Sequence, residues 1–466
     1  MLQGKVLPAE AIECLEEQEE QWLTRQDATP EKLQNFEKIY GPKAIRNMII
    51  CDRQAGAGFV TCAEREDSKL ARATRKPDTL NAYTLGMLEY TNAFFDRHKP
   101  DALFAYVIAS GPMLAFALEA ERRGIFFSRL QHTRIEDCTV MDTDIKGMLA
   151  PVWTRFKTGE KPSPEAQQKG AAWLQNFREK NREPDYMALL KTQSKKAMST
   201  KGIILGVAKA AARGLLYNVI KKDKPIRASS GWQGFRQSIT IPYKSWRLSQ
   251  RDDYARLDDL KNTPYLYFPL HVDPEASTML LAPDFTNQIS VIEAISKSMP
   301  SSLQLFVKEH PNMNGRRPNG FYDAIAALPS VRLVDPTITG RDALALSKGV
   351  VTITGTAGWE AALLGKPSVI LGDAHFRQFD SAEFCPELSH LEEAIITSFH
   401  RAPLSDAELA RFLGLIFEES FALPSSIAWA SEGKPMAEKD RPIITAMADH
   451  FERRLKEHKQ PGSKAA

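Results

Sequence analysis

Cysteine is scarce in this sequence, long apolar runs are missing and neither sign of charge dominates. Each shortage excludes a class of protein. Five cysteines (Cys14, Cys51, Cys62, Cys138, Cys385) in 466 residues are an odd number with no Cys-x-x-Cys pair. That argues against a disulfide framework or a zinc knuckle and for a reducing compartment. Lys and Arg number 61 against 58 Asp and Glu, a formal net charge of +3. Nucleic-acid binders carry a marked basic excess, so nucleic acid is not an expected partner. No apolar stretch approaches the ~18 residues that suggest a membrane span. The first twenty residues turn acidic where a secretory signal would be basic and then apolar. A P-loop, an HExxH pair, a GxSxG elbow and a cluster at metal-ligand spacing are also missing, so no metal and no other cofactor is expected. The expected location is the cytoplasm, with room for peripheral attachment at the inner membrane.

Hydrophobic residues at 43% and charged residues at 26% fall in the globular range. The length is about three times the usual ~150-residue domain, which predicts two domains. Residues 1–45 read as polar helices, with Pro30 at a helix start and Gly41-Pro42 as a break. The run Asn47–Cys51 reads as a buried strand, followed by a helix over 79–97 and strands at Ala102–Ile108 and Ile125–Leu130. Strands alternating with helices imply βαβ units. Residues 151–262 lose the strand signal, and between Lys191 and Arg227 ten Lys or Arg face a single acid, Asp223. From Tyr265 the alternation returns, with strands at 265–270, 303–308, 331–334, 350–354 and 367–371 and helices between them.

The expected plan is α/β: two Rossmann-type, doubly wound domains facing a cleft. A first Rossmann-like domain covers 1–150, and a mainly helical basic segment, 151–262, is attached to that lobe. A second Rossmann-like domain covers 263–435, and a closing helix with a flexible tail covers 436–466. Ligands of open α/β sheets bind outside the carboxyl ends of the strands, so the loops there carry the chemistry.

Three of those loops are chemically loaded. After VVTIT comes Gly355-Thr356-Ala357-Gly358-Trp359-Glu360, whose glycines and helix start suit a phosphate and whose Glu360 suits ribose hydroxyls. The same pattern also fits an ordinary strand-to-helix turn. After LQLFVK, Lys308-Glu309-His310-Pro311 puts a cation and an imidazole at a strand end, for a phosphate or base contact or simply for packing. After YFPL, His271-Val272-Asp273-Pro274-Glu275 brings two carboxylates that could act as base or nucleophile, or only cap the next helix. In the first domain, Arg134, Glu136 and Asp137 follow a strand and are acceptor-side candidates, with a solvated loop as the plainer reading. Gly56-Ala57-Gly58 lacks the rest of a dinucleotide fingerprint, since position 61 is Thr.

YFPLHVDPEAST, VKEHPN and ITGTAGWEAALLGKPSVILG, in that order, resemble the bacterial capsule polysaccharide biosynthesis proteins, a group that includes the capsule Kdo transferases. The resemblance is tightest over 264–375 and looser over 124–140. It implies a GT-B glycosyltransferase that moves a sugar, Kdo in the nearest case, from a nucleotide-activated donor to a growing glycan or lipid-linked acceptor, with CMP as the favoured nucleotide. It implies donor contacts from Lys308, His310, Pro311, Gly355, Thr356, Gly358 and Glu360, with Glu275 as catalytic carboxylate and Asp273 as its competitor. Glu275 stands where the Kdo transferases carry Asp, and His271 where they carry Gln. A UDP-sugar 2-epimerase shares the GTxG loop, and a non-enzymatic role in polysaccharide export or binding is the other alternative. An anionic inner-membrane surface, met by the basic segment, completes the expected partners.

Overall fold

The structure, a computed structural model, describes residues 13–179, 208–209, 211–212, 225–424 and 438–460. Most of the basic stretch Lys191–Arg227 lies outside these residues. The strands are β1 (Ala102–Ala105), β2 (Phe126–His132), β3 (Cys138–Asp142), β4 (Tyr265–Pro269), β5 (Gln304–Lys308), β6 (Val331–Leu333), β7 (Gly349–Thr352), β8 (Ser368–Ile370), β9 (Ala382–Phe384) and β10 (Ser420–Ala422).

Strands β4 to β9 form one parallel sheet in the order β6-β5-β4-β7-β8-β9. Counted from β4 this is 3-2-1-4-5-6, the order of dinucleotide-binding sheets. Its inner strands β4, β7 and β8 are buried along almost their whole length rather than alternating because both faces are covered, whereas the edge strands β6 and β9 carry Arg332 and Glu383. Leu266 and Phe268 pack with Val307, Val351 and Val369 on one face. Tyr265 and Tyr267 pack with Phe306, Val350 and Leu344 on the other. Each such side chain contributes about 1.5–3 kcal/mol by leaving water. The Tyr265 hydroxyl, buried with its ring, donates to the Ala343 carbonyl at 2.6 Å. The strand order reverses between β4 and β7, which are direct neighbours.

The amino-terminal lobe is built on a smaller sheet, β1-β2-β3-β10. β1 and β2 are parallel, joined by the helix Gly111–Arg122, while β3 and β10 run antiparallel to their neighbours. The helix Arg441–Lys459 closes this sheet, setting Phe451 edge-on to Phe104 and Phe126 at 6.0 and 5.6 Å. The α/β class and the two-sheet plan are those read from the sequence.

Two local readings need correction. Asn47–Cys51 is not a strand but the end of the helix Pro42–Ile50 and its cap. Ile45, Met48 and Ile49 fall three and four residues apart and bury together against Leu114 and Ala115, so a short apolar run had the helical period. The helical segment after residue 150 does not belong to the amino-terminal lobe alone. Trp153 of the helix Ala150–Lys157 and Leu174 of the helix Pro164–Glu179 pack with Trp359, Leu363 and Phe412 of the other lobe. Gly170 allows the close crossing, since a Cβ there would meet the Ala410 carbonyl at 2.5 Å.

The helix Gly231–Ser249 spans the junction of the lobes. Gln233 accepts from the Asp67 N–H and donates to the Arg65 carbonyl, both at 2.9 Å. Towards its far end, Gly315 (φ 75°) approaches the Ile241 carbonyl so closely that a Cβ would sit 2.3 Å from it. No described helix is long and apolar enough to cross a membrane.

Candidate active site

The loops after β4 and β7 meet at the switch point, and His271 joins them. Its ring Nε2 accepts the Thr354 N–H at 3.1 Å, while its backbone N–H donates to Gln288 Oε1 at 2.8 Å. Gly355 is required beside it: a Cβ would lie 2.7 Å from Thr352 Oγ1 and 3.1 Å from His271 Nε2. Burial, helped by the charges of His310 and Arg317, holds the His271 imidazole down to about 3. It is therefore a neutral acceptor at any ordinary pH.

Gly355 caps the helix Thr356–Leu364, and no side chain caps its first turn. Those N–H groups and the positive dipole end point out of the sheet's carboxyl edge, which suits an oxyanion. Two readings change here. Glu360 lies in the second turn, beyond the end of the dipole, with the Arg341 and Tyr267 side chains as its electrostatic neighbours. Gly358 is required by packing, because a Cβ would meet the Phe376 ring at 2.5 Å.

The loop after β5 is anchored by a residue that the sequence reading missed. Arg317, only 1% exposed, grips Glu309 through two bonds of 2.8 Å. It also donates to the His271 carbonyl at 2.7 Å and to the Cys62 carbonyl at 3.0 Å. One guanidinium thus ties the β4 loop, the β5 loop and the amino-terminal lobe. Tyr322 completes the Glu309 carboxylate at 2.8 Å. Next to this network His310 caps the short turn Pro311–Met313, its Nδ1 accepting the Asn312 N–H at 3.3 Å. Nε2 is then the nitrogen that carries a proton for a ligand. Burial lowers the His310 pKa, opposed by the carboxylates of Glu309 and Glu275. Lys308 turns aside, its Nζ reaching the Pro336 carbonyl at 3.4 Å.

The two carboxylates of the β4 loop have different environments. Asp273 is 3% exposed and accepts the Cys62 N–H across the lobe junction at 3.1 Å. Burial pushes its carboxyl up to about 6, against the Arg317 charge. Glu275 is half-buried, accepts the Ser277 hydroxyl at 2.5 Å and faces His310 electrostatically. A tethered, desolvated acid and a solvated carboxylate beside an imidazole are suited to different work.

From the amino-terminal lobe only part of the expected trio arrives. Arg134 (φ 69°) sits in the turn after β2, half-buried, with no side-chain hydrogen bond or ion pair among the described residues. Its charge bears on both His271 and His375. Glu136 and Asp137 lie on the exposed tip between β2 and β3 instead, where the Asp137 carbonyl accepts Leu423 N–H at 2.8 Å. His375, in the loop after β8, is the second residue that was missed. It is 5% exposed, neither ring nitrogen has a partner, and Trp359 stands 5.3 Å away. Burial and the Arg134 charge hold it down to about 3. The strand-end rule, applied to β8 as it was to β4, β5 and β7, would have found it. Arg317 has no such signal, since Arg316 beside it looks identical in sequence. Among the described residues no group of three His, Cys, Asp or Glu could hold a metal.

Residues 231–379 match the family model described as capsule polysaccharide biosynthesis protein. The match covers about a third of the chain and contains β4 to β8 with the loops that follow them, while the turn carrying Arg134 lies outside it. Protein FixF of Sinorhizobium fredii is 28% identical over 161 residues, 33% of this chain and 37% of FixF. The chain therefore spans little more than a third of the length of the curated relative it matches. Among solved structures, a Thermosulfurimonas dismutans KpsC, titled a β-Kdo 2,7 transferase, has 11% identity and a TM-score of 0.35 over 78% of this chain and 89% of its own. A Neisseria meningitidis UDP-GlcNAc 2-epimerase has 15% identity and a TM-score of 0.26 over 72% and 80%.

Proposed function

We propose that this protein is a glycosyltransferase of capsular or related surface polysaccharide assembly, using a nucleotide-activated sugar and a glycan or lipid-linked acceptor. The observation that carries the reading is the His271–Thr354 bond at the switch point, inside the segment that matches the capsule family. It brings an uncapped helix start, a ring N–H and a carboxylate onto one sheet edge. In this reading the first-turn N–H groups at Gly355–Thr356 hold the donor phosphate, and His310 Nε2–H contacts the nucleotide. Arg134 supplies a cation from the amino-terminal side of the cleft, and His375 adds hydrogen-bond capacity from the loop after β8. CMP is the favoured nucleotide, and Kdo is a candidate sugar.

Glu275 acts as the reacting carboxylate, either attacking the sugar carbon or taking the acceptor proton. Asp273 holds the lobes at Cys62. The Asp-to-Glu and Gln-to-His differences from the Kdo transferases fall on this loop, so donor choice is the finer part of the proposal. A thermal-shift series with CMP, UDP, GDP and dTDP tests it, because a ligand bound only by the native state raises the melting midpoint. The expected result is a shift with CMP that His310→Ala and Thr356→Ala abolish while melting stays cooperative. A shift with UDP alone would overturn the CMP assignment, and turnover of free UDP-sugar without acceptor would make the chain an epimerase.

A further inference from the structure

The helix Gly231–Ser249 presents its faces the wrong way round for a soluble protein. Its buried side chains include the polar Gln233 and Ser245 alongside Leu248. Its outer face carries Trp232, Ile239, Tyr243 and Trp246, exposed by 66%, 50%, 56% and 59%. At about 100° per residue these four fall within a sector about 60° wide. The rings lie beside one another, Trp232 by Phe235 at 5.6 Å and Tyr243 by Trp246 at 6.2 Å. Exposed apolar side chains scattered singly are ordinary, but a contiguous aromatic stripe marks a surface that meets something.

Charge says what it meets. Exposed Arg247 flanks the stripe on one side together with Arg236, which also pairs with Glu64 at 3.2 Å, and no Asp or Glu occurs between Asp223 and Asp252. The sequence leading into the helix, Lys191–Lys224, adds nine basic residues against one acid, leaving aside Arg227, whose guanidinium is held by Glu19 and Asp52. Trp and Tyr favour the headgroup level of a bilayer, and basic residues on the same helix are drawn to anionic lipid. The inner face is fixed to the protein: Gln233 binds Arg65 and Asp67, and Lys244 Nζ donates to the Arg317 carbonyl at 3.2 Å.

We propose that the face Trp232–Ile239–Tyr243–Trp246 docks the protein on an anionic lipid surface. The docked helix lies directly behind the 313–317 loop, so the Arg317 network and the site it supports sit next to the bilayer plane. The proposal stands on exposure and charge and does not need the transfer reading.

Flotation of the full chain with extruded vesicles decides it, using phosphatidylcholine alone and phosphatidylcholine with about a third phosphatidylglycerol. The parent floats with the anionic vesicles and not with the neutral ones. The triple variant Trp232→Ser, Tyr243→Ser, Trp246→Ser loses at least ~tenfold in bound fraction, and Arg247→Glu loses several-fold. Both keep cooperative melting and the parent's thermal shift with nucleotide, which separates lipid docking from the donor site. A parent that stays with the pellet at low salt overturns the proposal, as does a triple variant that floats equally well. A parent that is dimeric without vesicles, and monomeric once the three rings are removed, assigns the face to a second copy and equally overturns it.

Discussion

His271 Nε2 accepts the Thr354 backbone N–H, so a side chain of the β4 loop fixes the backbone of the β7 loop. A neutral ring does this with an atom that would repel the N–H if it were protonated. His271→Ala leaves the Thr354 N–H buried without a partner, at a cost of about 1–3 kcal/mol. The expected outcome is a lower urea midpoint and nucleotide affinity weakened about tenfold. His271→Gln, which supplies another acceptor, retains most of both. Equal losses in the two variants would show that ring shape, not the accepted bond, is what matters.

Acid titration offers a second test. The His375 pKa is about 3 in the native protein against 6.5 ordinarily, so the unfolded chain binds the extra proton. Stability from this group is complete above about pH 6.5 and is lost as the pH falls toward 3. His375→Phe removes both the titration and two unpartnered nitrogens in an aromatic setting beside Trp359 and Phe376. It should raise the melting midpoint by an amount that grows as the pH falls from 6.5 toward 3, while weakening nucleotide binding. A variant that is less stable than the parent at pH 5 would contradict the assignment of a neutral, unsatisfied ring.

Asp273 carries the opposite sign. Its native pKa is about 6 against 3.8, so the native state holds its proton longer than the unfolded chain. The associated stability is full below pH 3.8 and disappears as the pH rises through 6. Relative to the parent, Asp273→Asn should therefore gain stability between pH 4 and 6 and level off above, read from denaturant midpoints. A constant difference across that range would place the carboxyl's native pKa in the ordinary region.

Transfer activity separates the two carboxylates. Glu275→Gln keeps the shape of the side chain and removes its charge, so turnover should fall by about 10²–10⁴ while the nucleotide-induced thermal shift persists. Asp273→Asn should keep measurable turnover. The reverse pattern would exchange their roles.

Arg317 tests the framework. Replacing it with Met strands Glu309 as a buried charge, a loss of about 3–5 kcal/mol. Adding Glu309→Gln should recover a substantial part, measurable as a double-mutant coupling. No recovery would mean that the bonds to the Cys62 and His271 carbonyls dominate.

What could be read in advance divides along physical lines. β4, β5, β7 and β8 announce themselves because strands buried on both faces are continuously apolar, and the strand-end rule then points to His271, His310 and Gly355. Asn47–Cys51 misleads because five apolar-rich residues do not distinguish a strand from the last turns of a helix. The partnership of Cys62 with Asp273 and Arg317 is invisible for another reason: it joins residues more than two hundred positions apart through a backbone N–H and a backbone carbonyl, which leave no mark on residue choice. The outward aromatic face of Gly231–Ser249 is legible as amphipathic, but not which side meets solvent. Only the placement of Gln233 and Ser245 inside reveals that.

β10 has a consequence for how the molecule is made. Ser420–Ala422 pairs with Val140–Cys138, and Phe451 covers Phe104 and Phe126 from still further along the chain. The strands of the larger sheet all lie between Tyr265 and Phe384, whereas the amino-terminal sheet waits for residues beyond 440. During synthesis, which runs at ~5–20 residues per second, the half that emerges first is therefore the half that finishes last. Its β3 edge stays unpaired for roughly 15 to 55 seconds at that rate, and a chain interrupted before Ser420 would keep that edge permanently open to other strands.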